Sequence, residues 1–128
     1  MTFLDKWAPV VLSVLRIVAA LLFFEHGLQK LIGFPSAGPP NMTPLIWAQA
    51  AIEVLGGLAL ALGAFTRPVA FILSGDMAVA YFMAHFPRSF YPAVNGGDAA
   101  ILYCFLFFYL AFAGAGPWSL DETALKRS

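Results

Sequence analysis

The sequence predicts an all-α fold, a bundle of four transmembrane helices, and three observations carry that reading. Of 128 residues, 61% are hydrophobic and only 11% are charged, whereas a soluble domain carries about 25% charged residues. The mean hydropathy is +0.82. The apolar residues gather into four stretches of the length a helix needs to cross a hydrocarbon core, about 20 residues. Segments rich in Pro, Gly and Asn separate them.

The first span runs from about Trp7 to Ile32. Lys6 and the apolar run after it loosely fit a secretory leader. That run ends in Phe23-Phe24-Glu25-His26, not in a small-residue cleavage site, and further apolar segments follow, so it reads as a retained span. The second runs from Leu45 to Phe65, and its Gly56, Gly57 and Gly63 allow close helix contact. The third starts at Pro68, a good first-turn residue, and ends near Phe86, before Pro87. The fourth runs from Ala99 to Ala115. Asn95-Gly96-Gly97-Asp98 precedes it, with Asp98 as N-cap, and Gly114, Gly116 and Pro117 stop it. Phe34 to Thr43 reads as an ordered loop with turns, Thr66-Arg67-Pro68 as a short link, and Ser119 to Ser128 as a polar tail with Asp121 and Glu122 solvated. Residues 1–128 read as a single membrane domain.

Four spans put both ends of the chain on one side. Lys6, Arg67, Lys126 and Arg127 fall on that side and Lys30 and Arg88 on the other, so the positive-inside rule places both termini in the cytoplasm. Seven basic and seven acidic residues cancel. With no basic cluster among interleaved aromatics, a nucleic-acid partner is not expected, and membrane lipid is. Cys104 is the sole cysteine, which excludes an intrachain disulfide and any CxxC pair. Trp7, Trp47 and Trp118 fit interfacial anchors.

The polar residues inside the spans carry the functional signal, because ionisable groups in a bilayer core are costly and face an interior, a partner or water. Glu25, His26, Gln29 and Lys30 close the apolar run from Val10 to Phe24. At about 1.5 Å rise per residue, they share one depth with Gln49 and Glu53 of the second span and with Tyr81 and His85 of the third. Asn95 and Asp98 enter from the same side. Gln49 and Glu53 share a helix face, as do Met77, Tyr81 and His85. These residues predict a polar pocket open to the two longer loops. Glu25 and Glu53 read either as proton carriers or as salt-bridge partners of Lys30 and Arg16. Deeper, Arg16 and Asp76 stand at equal depth and predict a buried ion pair that fixes helix register. Two imidazoles at one depth suit a metal or haem iron, but no CxxCH or HExxH is present. Ligation of haem or metal is therefore not expected, and His26 and His85 read as hydrogen-bond partners of a ligand headgroup or a carboxylate.

These residues resemble the DoxX family of small four-helix membrane proteins. The resemblance rests on Leu15-Arg16-Ile17, Phe24-Glu25-His26-Gly27-Leu28-Gln29-Lys30-Leu31, Gly33-Phe34-Pro35, Glu53-Val54-Leu55-Gly56-Gly57, Asn95-Gly96-Gly97-Asp98 and the closing Gly114 to Asp121. It covers nearly the whole chain. It implies a multi-pass protein of the bacterial cytoplasmic membrane. Some members are linked to thiosulfate:quinone oxidoreductase, others to a membrane oxidoreductase complex that handles oxidative and thiol stress. The lone Cys104 departs from the thiol-redox relatives, so dithiol chemistry here needs a partner protein. The expected function is a small redox-associated subunit that binds a quinone or similar molecule, an accessory of an oxidoreductase more than a stand-alone enzyme. The alternatives are a small proton-coupled transporter, which needs a homo-oligomer to make a path, and a membrane scaffold for a partner oxidoreductase.

Overall fold

The computed structural model describes residues 2–38 and 41–126. Their helices are α1 (Thr2–Ile32), α2 (Pro44–Leu62), α3 (Thr66–Ala80), the short α4 (Pro92–Asn95), α5 (Asp98–Ala113) and the short α6 (Leu120–Thr123). A π turn (Tyr81–His85) and a 3-10 turn (Phe86–Arg88) prolong α3. There is no strand among the described residues. Three continuous helical stretches, Thr2–Ile32, Pro44–Leu62 and Thr66–Arg88, are long and apolar enough to cross a membrane. The fourth, α5, is apolar but has 16 residues, about 24 Å of helix. Pro39 and Pro40 of the loop before α2 lie outside the described residues, as do Arg127 and Ser128.

The bundle exposes what a water-soluble fold would bury. Leu55, Phe71, Leu102 and Phe105 are each more than 60% exposed, and a continuous apolar exterior of this kind suits contact with lipid tails. The interior is small by comparison and centres on Phe23, Leu60, Leu73, Met77, Phe107 and Leu110. With the exterior and the helix lengths, it makes this an all-α membrane bundle.

Glycine sets the closest approach. A Cβ on Gly27 would lie 2.8 Å from Val54 Cγ2 and 2.9 Å from the Val54 nitrogen, so α1 and α2 meet backbone to backbone there. Gly57 faces Phe24 one turn along the same antiparallel seam. Between α3 and α5 the seam is polar at one point, where Ser74 Oγ donates to the Cys104 carbonyl at 2.7 Å.

Two boundaries differ from expectation. α1 has 31 residues and begins before Trp7, so it projects past the end of α2. α3 begins at Thr66, ahead of Pro68, because its cap comes from the far end of the chain. Asp121 accepts from the Phe65 nitrogen at 2.7 Å and from the Thr66 nitrogen at 2.9 Å, which holds Phe65 at φ 53°, a conformation uncommon for a bulky side chain. Asp121 is therefore buried, 4% exposed, not a solvated tail charge. The cap of α5 is also displaced. Gly97 holds that position, and Asp98 is the first helical residue, exposed.

The tail folds back across this end. Ser13 Oγ donates to the Ala115 carbonyl at 3.2 Å and accepts from the Trp118 nitrogen at 3.1 Å. The Asp121 nitrogen donates to the Gly63 carbonyl at 2.9 Å.

Candidate functional site

At the end of the bundle away from the tail, the four long helices line a cavity of about 600 Å³. Each helix contributes residues at the three-to-four spacing of one face. From α1 come Phe23, His26 and Lys30; from α2, Ile46, Gln49 and Glu53; from α3 and its π turn, Met77, Ala80, Ala84 and His85; from α5, Ala99, Ala100 and Tyr103. The walls are mostly aliphatic and aromatic.

The charged groups gather deep in the cavity. Lys30 Nζ sits 2.8 Å from both oxygens of Glu53. The Glu53 side chain is 1% exposed and that of Lys30 22%, so the ammonium is the member of the pair that reaches the cavity. On α3, Asp76 neighbours the charges of Glu53 and Lys30. Asp76 is 9% exposed and its Oδ2 has no hydrogen-bond partner. One cation and two carboxyls thus meet where α1, α2 and α3 converge.

The π turn positions the opposite wall. Its bond from the Phe86 nitrogen to the Tyr81 carbonyl spans five residues, which inserts an extra residue per turn and shifts the side-chain register. Tyr81 turns inward, where its hydroxyl accepts from Asn95 Nδ2 at 3.1 Å, while His85 still faces the cavity. His85 Nδ1 lies 3.2 Å from the Asn95 carbonyl. A neutral imidazole that donates there presents Nε2 as an acceptor. Asn95 itself is fully engaged. It also donates to the Ser89 carbonyl at 2.9 Å and accepts from the Gly97 nitrogen at 2.8 Å, which ties the α4 corner to the π turn. His26 Nδ1 lies 2.9 Å from the Leu22 carbonyl one turn back, and its ring meets Tyr103 edge-on at 6.1 Å.

Of the residues singled out from sequence, His26, Lys30, Gln49, Glu53 and His85 line the cavity together. Four do not. Glu25 and Asp98 are exposed and outside the lining. Gln29 donates to Ser36 Oγ at 2.7 Å and so holds the loop after α1. Tyr81 belongs to the buried Asn95 network. Tyr103 was missed. Its spacing from Ala99 and Ala100 was legible, but it is one of six Phe and Tyr residues of α5 with no local mark to separate it.

The expected pairing of Arg16 with Asp76 is corrected. Arg16 donates to the Trp118 carbonyl at 2.7 Å, to the Ala115 carbonyl and, more weakly, to the Ala61 carbonyl at 3.5 Å. Asp76 lies with Glu53 and Lys30 instead. Depth counted from Trp7 placed Arg16 well inside the bundle, but α1 projects past α2, so Arg16 stands level with Gly63 and the tail. Among the described residues, no group of three or more His, Cys, Asp or Glu converges in a way that could hold a metal ion. Cys104 Sγ lies 3.5 Å from Ser74 Oγ, away from the cavity lining.

Comparison with known proteins agrees with the fold. A protein of Haemophilus influenzae, described as uncharacterized, is 41% identical over 138 aligned residues that span 99% of this chain and 100% of that one. No solved structure matches the chain. The sequence model of the DoxX family matches residues 11–86, a segment that contains Lys30, Glu53, Asp76 and His85, and the chain belongs to the DoxX family.

Proposed function

We propose that the cavity binds a small lipid-soluble molecule with a hydrogen-bonding headgroup, a quinone or a close analogue, and that the protein acts as a small redox-associated subunit of a membrane oxidoreductase. One observation carries this reading. A cavity of about 600 Å³ with mostly apolar walls carries a few polar groups on its lining, among them the Lys30–Glu53 pair, Gln49 and His85. Ligand sites commonly have this size and this balance of apolar wall to few polar groups. A ring with two carbonyls suits donors and acceptors on opposite walls, and an isoprenoid-like tail suits the apolar remainder.

The same reading places the protein in a bacterial cytoplasmic membrane with both termini in the cytoplasm. Lys6, Arg67 and Lys126 lie at the tail end, against Lys30 and Arg88 at the other. The cavity then faces the outer half of the bilayer.

The test is the visible spectrum and the mass spectrum of an organic extract of protein purified in mild detergent. A quinone should co-purify with the wild type and be lost from His85→Ala and Gln49→Ala, which remain folded. A clean extract from folded wild-type protein sinks the proposal. A second reading, a proton-coupled transporter, draws on the two adjoining carboxyls of Glu53 and Asp76. It requires proton-driven flux in proteoliposomes that Glu53→Gln abolishes.

A further inference from the structure

α5 is short for the membrane it crosses. Its 16 residues give about 24 Å of helix, against a hydrocarbon core of about 30 Å. At the tail end α5 finishes level with the start of α3, where Arg67 donates to the Ala111 carbonyl at 3.3 Å. At the cavity end it starts level with Tyr81, whose Cε1 would lie 2.5 Å from a Cβ on Gly97. α3 continues past that level through the π and 3-10 turns to Arg88. The place beside this extension is taken by the corner of residues 89–97, where Asn95 lies against His85 and Tyr81. The shortfall of α5, about 6 Å, therefore falls at the corner.

The outer face of the corner is apolar and aromatic. Phe90, Tyr91 and Val94 are 71%, 66% and 74% exposed. Phe82, Phe86, Phe90 and Tyr91 follow one another edge-on at 5.6, 6.2 and 5.4 Å, so the lipid-facing surface of α3 runs on into the corner. Its backbone is satisfied from within. The nitrogens of Ser89, Tyr91, Val94, Asn95, Gly96 and Gly97 all donate inside residues 86–97, and Pro87 and Pro92 have no N–H to satisfy. A loop in water needs no such closure, whereas backbone that meets lipid does. Arg88 is exposed on a stem long enough to reach a phosphate layer, and tyrosine is favoured at membrane interfaces.

We propose that residues 86–97 form an interfacial anchor at the acyl–headgroup boundary, with Phe90, Tyr91 and Val94 in the upper acyl chains, and that this anchor completes the hydrocarbon span that α5 leaves short. The partner of the aromatic face is lipid. Amphipathic segments at an interface bury their apolar face by about 5–10 Å, which matches the missing height of α5. The inference is independent of what the cavity binds.

The experiment measures depth by spin-label relaxation on the full chain carrying Cys104→Ala, purified and placed in phosphatidylcholine nanodiscs. Single cysteines replace Val94 or Phe90 in the corner, Leu102 as the lipid reference on α5, and Glu122 as the polar reference on the tail. All four positions are exposed, so each label fits on the folded bundle, and the two corner sites check one another. Labels at Val94→Cys and Phe90→Cys should collide with dissolved oxygen in preference to a water-soluble nickel chelate, at a depth between those of Leu102→Cys and Glu122→Cys. Corner labels as open to the nickel chelate as Glu122→Cys overturn the proposal, because the corner then stands in water and the bilayer thins around α5. Spin–spin broadening at the corner that disappears on dilution with unlabelled protein also overturns it, by putting a second copy of the chain on the aromatic face.

Discussion

At the tail end of the bundle, Arg16 directs its donors at the carbonyls of Ala115, Trp118 and Ala61, and Asp121 caps the first turn of α3. At the other end, Lys30 and Glu53 pair with each other, and further polar groups, among them His85 and Gln49, line open space. Both ends bury charge in a chain with little of it, so burial alone does not mark a functional residue. The partner does. A charged group held by backbone carbonyls or amides closes a structure, whereas one paired only with another side chain, beside a cavity, leaves bonding capacity for a ligand.

That contrast is broken most severely at the closed end. Arg16→Ala leaves the Ala115 and Trp118 carbonyls without their donor and a void at a 0% exposed position, and should cost about 3 kcal/mol. Thermal unfolding in detergent reads this directly, and an unchanged midpoint would show that the tail does not close the bundle. Asp121→Ala removes both capping bonds and should cost about 2 kcal/mol, with proteolysis near Phe65 as an independent readout. At the open end the signature inverts. His85→Ala gives up one bond to the Asn95 carbonyl and should cost about 1 kcal/mol at most, yet it should strip the co-purifying ligand. If His85→Ala melts as early as Arg16→Ala, the distinction between the two ends fails. The smallest effects sharpen the boundary of the site. Glu25→Gln and Asp98→Asn, both outside the lining, should leave melting and ligand content where they are; ligand loss in either would extend the site to the loop surface.

Much of this was legible in the sequence because membrane helices obey simple rules of length and period. Apolar run length gave the spans, and the three-to-four spacing of Gln49 with Glu53, and of His26 with Lys30, put those residues on cavity-facing surfaces. What escaped had non-local causes. Tyr81 still stacks on His85, and its inward engagement depends on Asn95, which reaches its hydroxyl from the α4 corner. Asp121 reads as a tail charge until the tail is seen to fold under α3, 55 residues away in sequence. The Arg16–Asp76 pairing fails because α1 projects past α2, so Arg16 sits nearer the tail end than a span starting at Trp7 implies. The companionship of Glu53 and Asp76 depends on how α2 packs on α3, where Gly56 lets Leu73 approach closely, and no spacing within either helix reveals it.

The tail contacts also impose an order in time. Chains fold from the N-terminal side as they are synthesised, and here the acceptors for Arg16 and the cap for α3 reside in Ala115, Trp118 and Asp121, made after all four long helices. Until those residues emerge, the Arg16 guanidinium has only the weak acceptor at Ala61, and α3 starts without the Asp121 cap. The nascent protein is therefore recognisably incomplete to the proteases and chaperones that sort unfinished chains. Synthesis of Ala115 to Asp121 supplies the contacts that seal this end of the four helices.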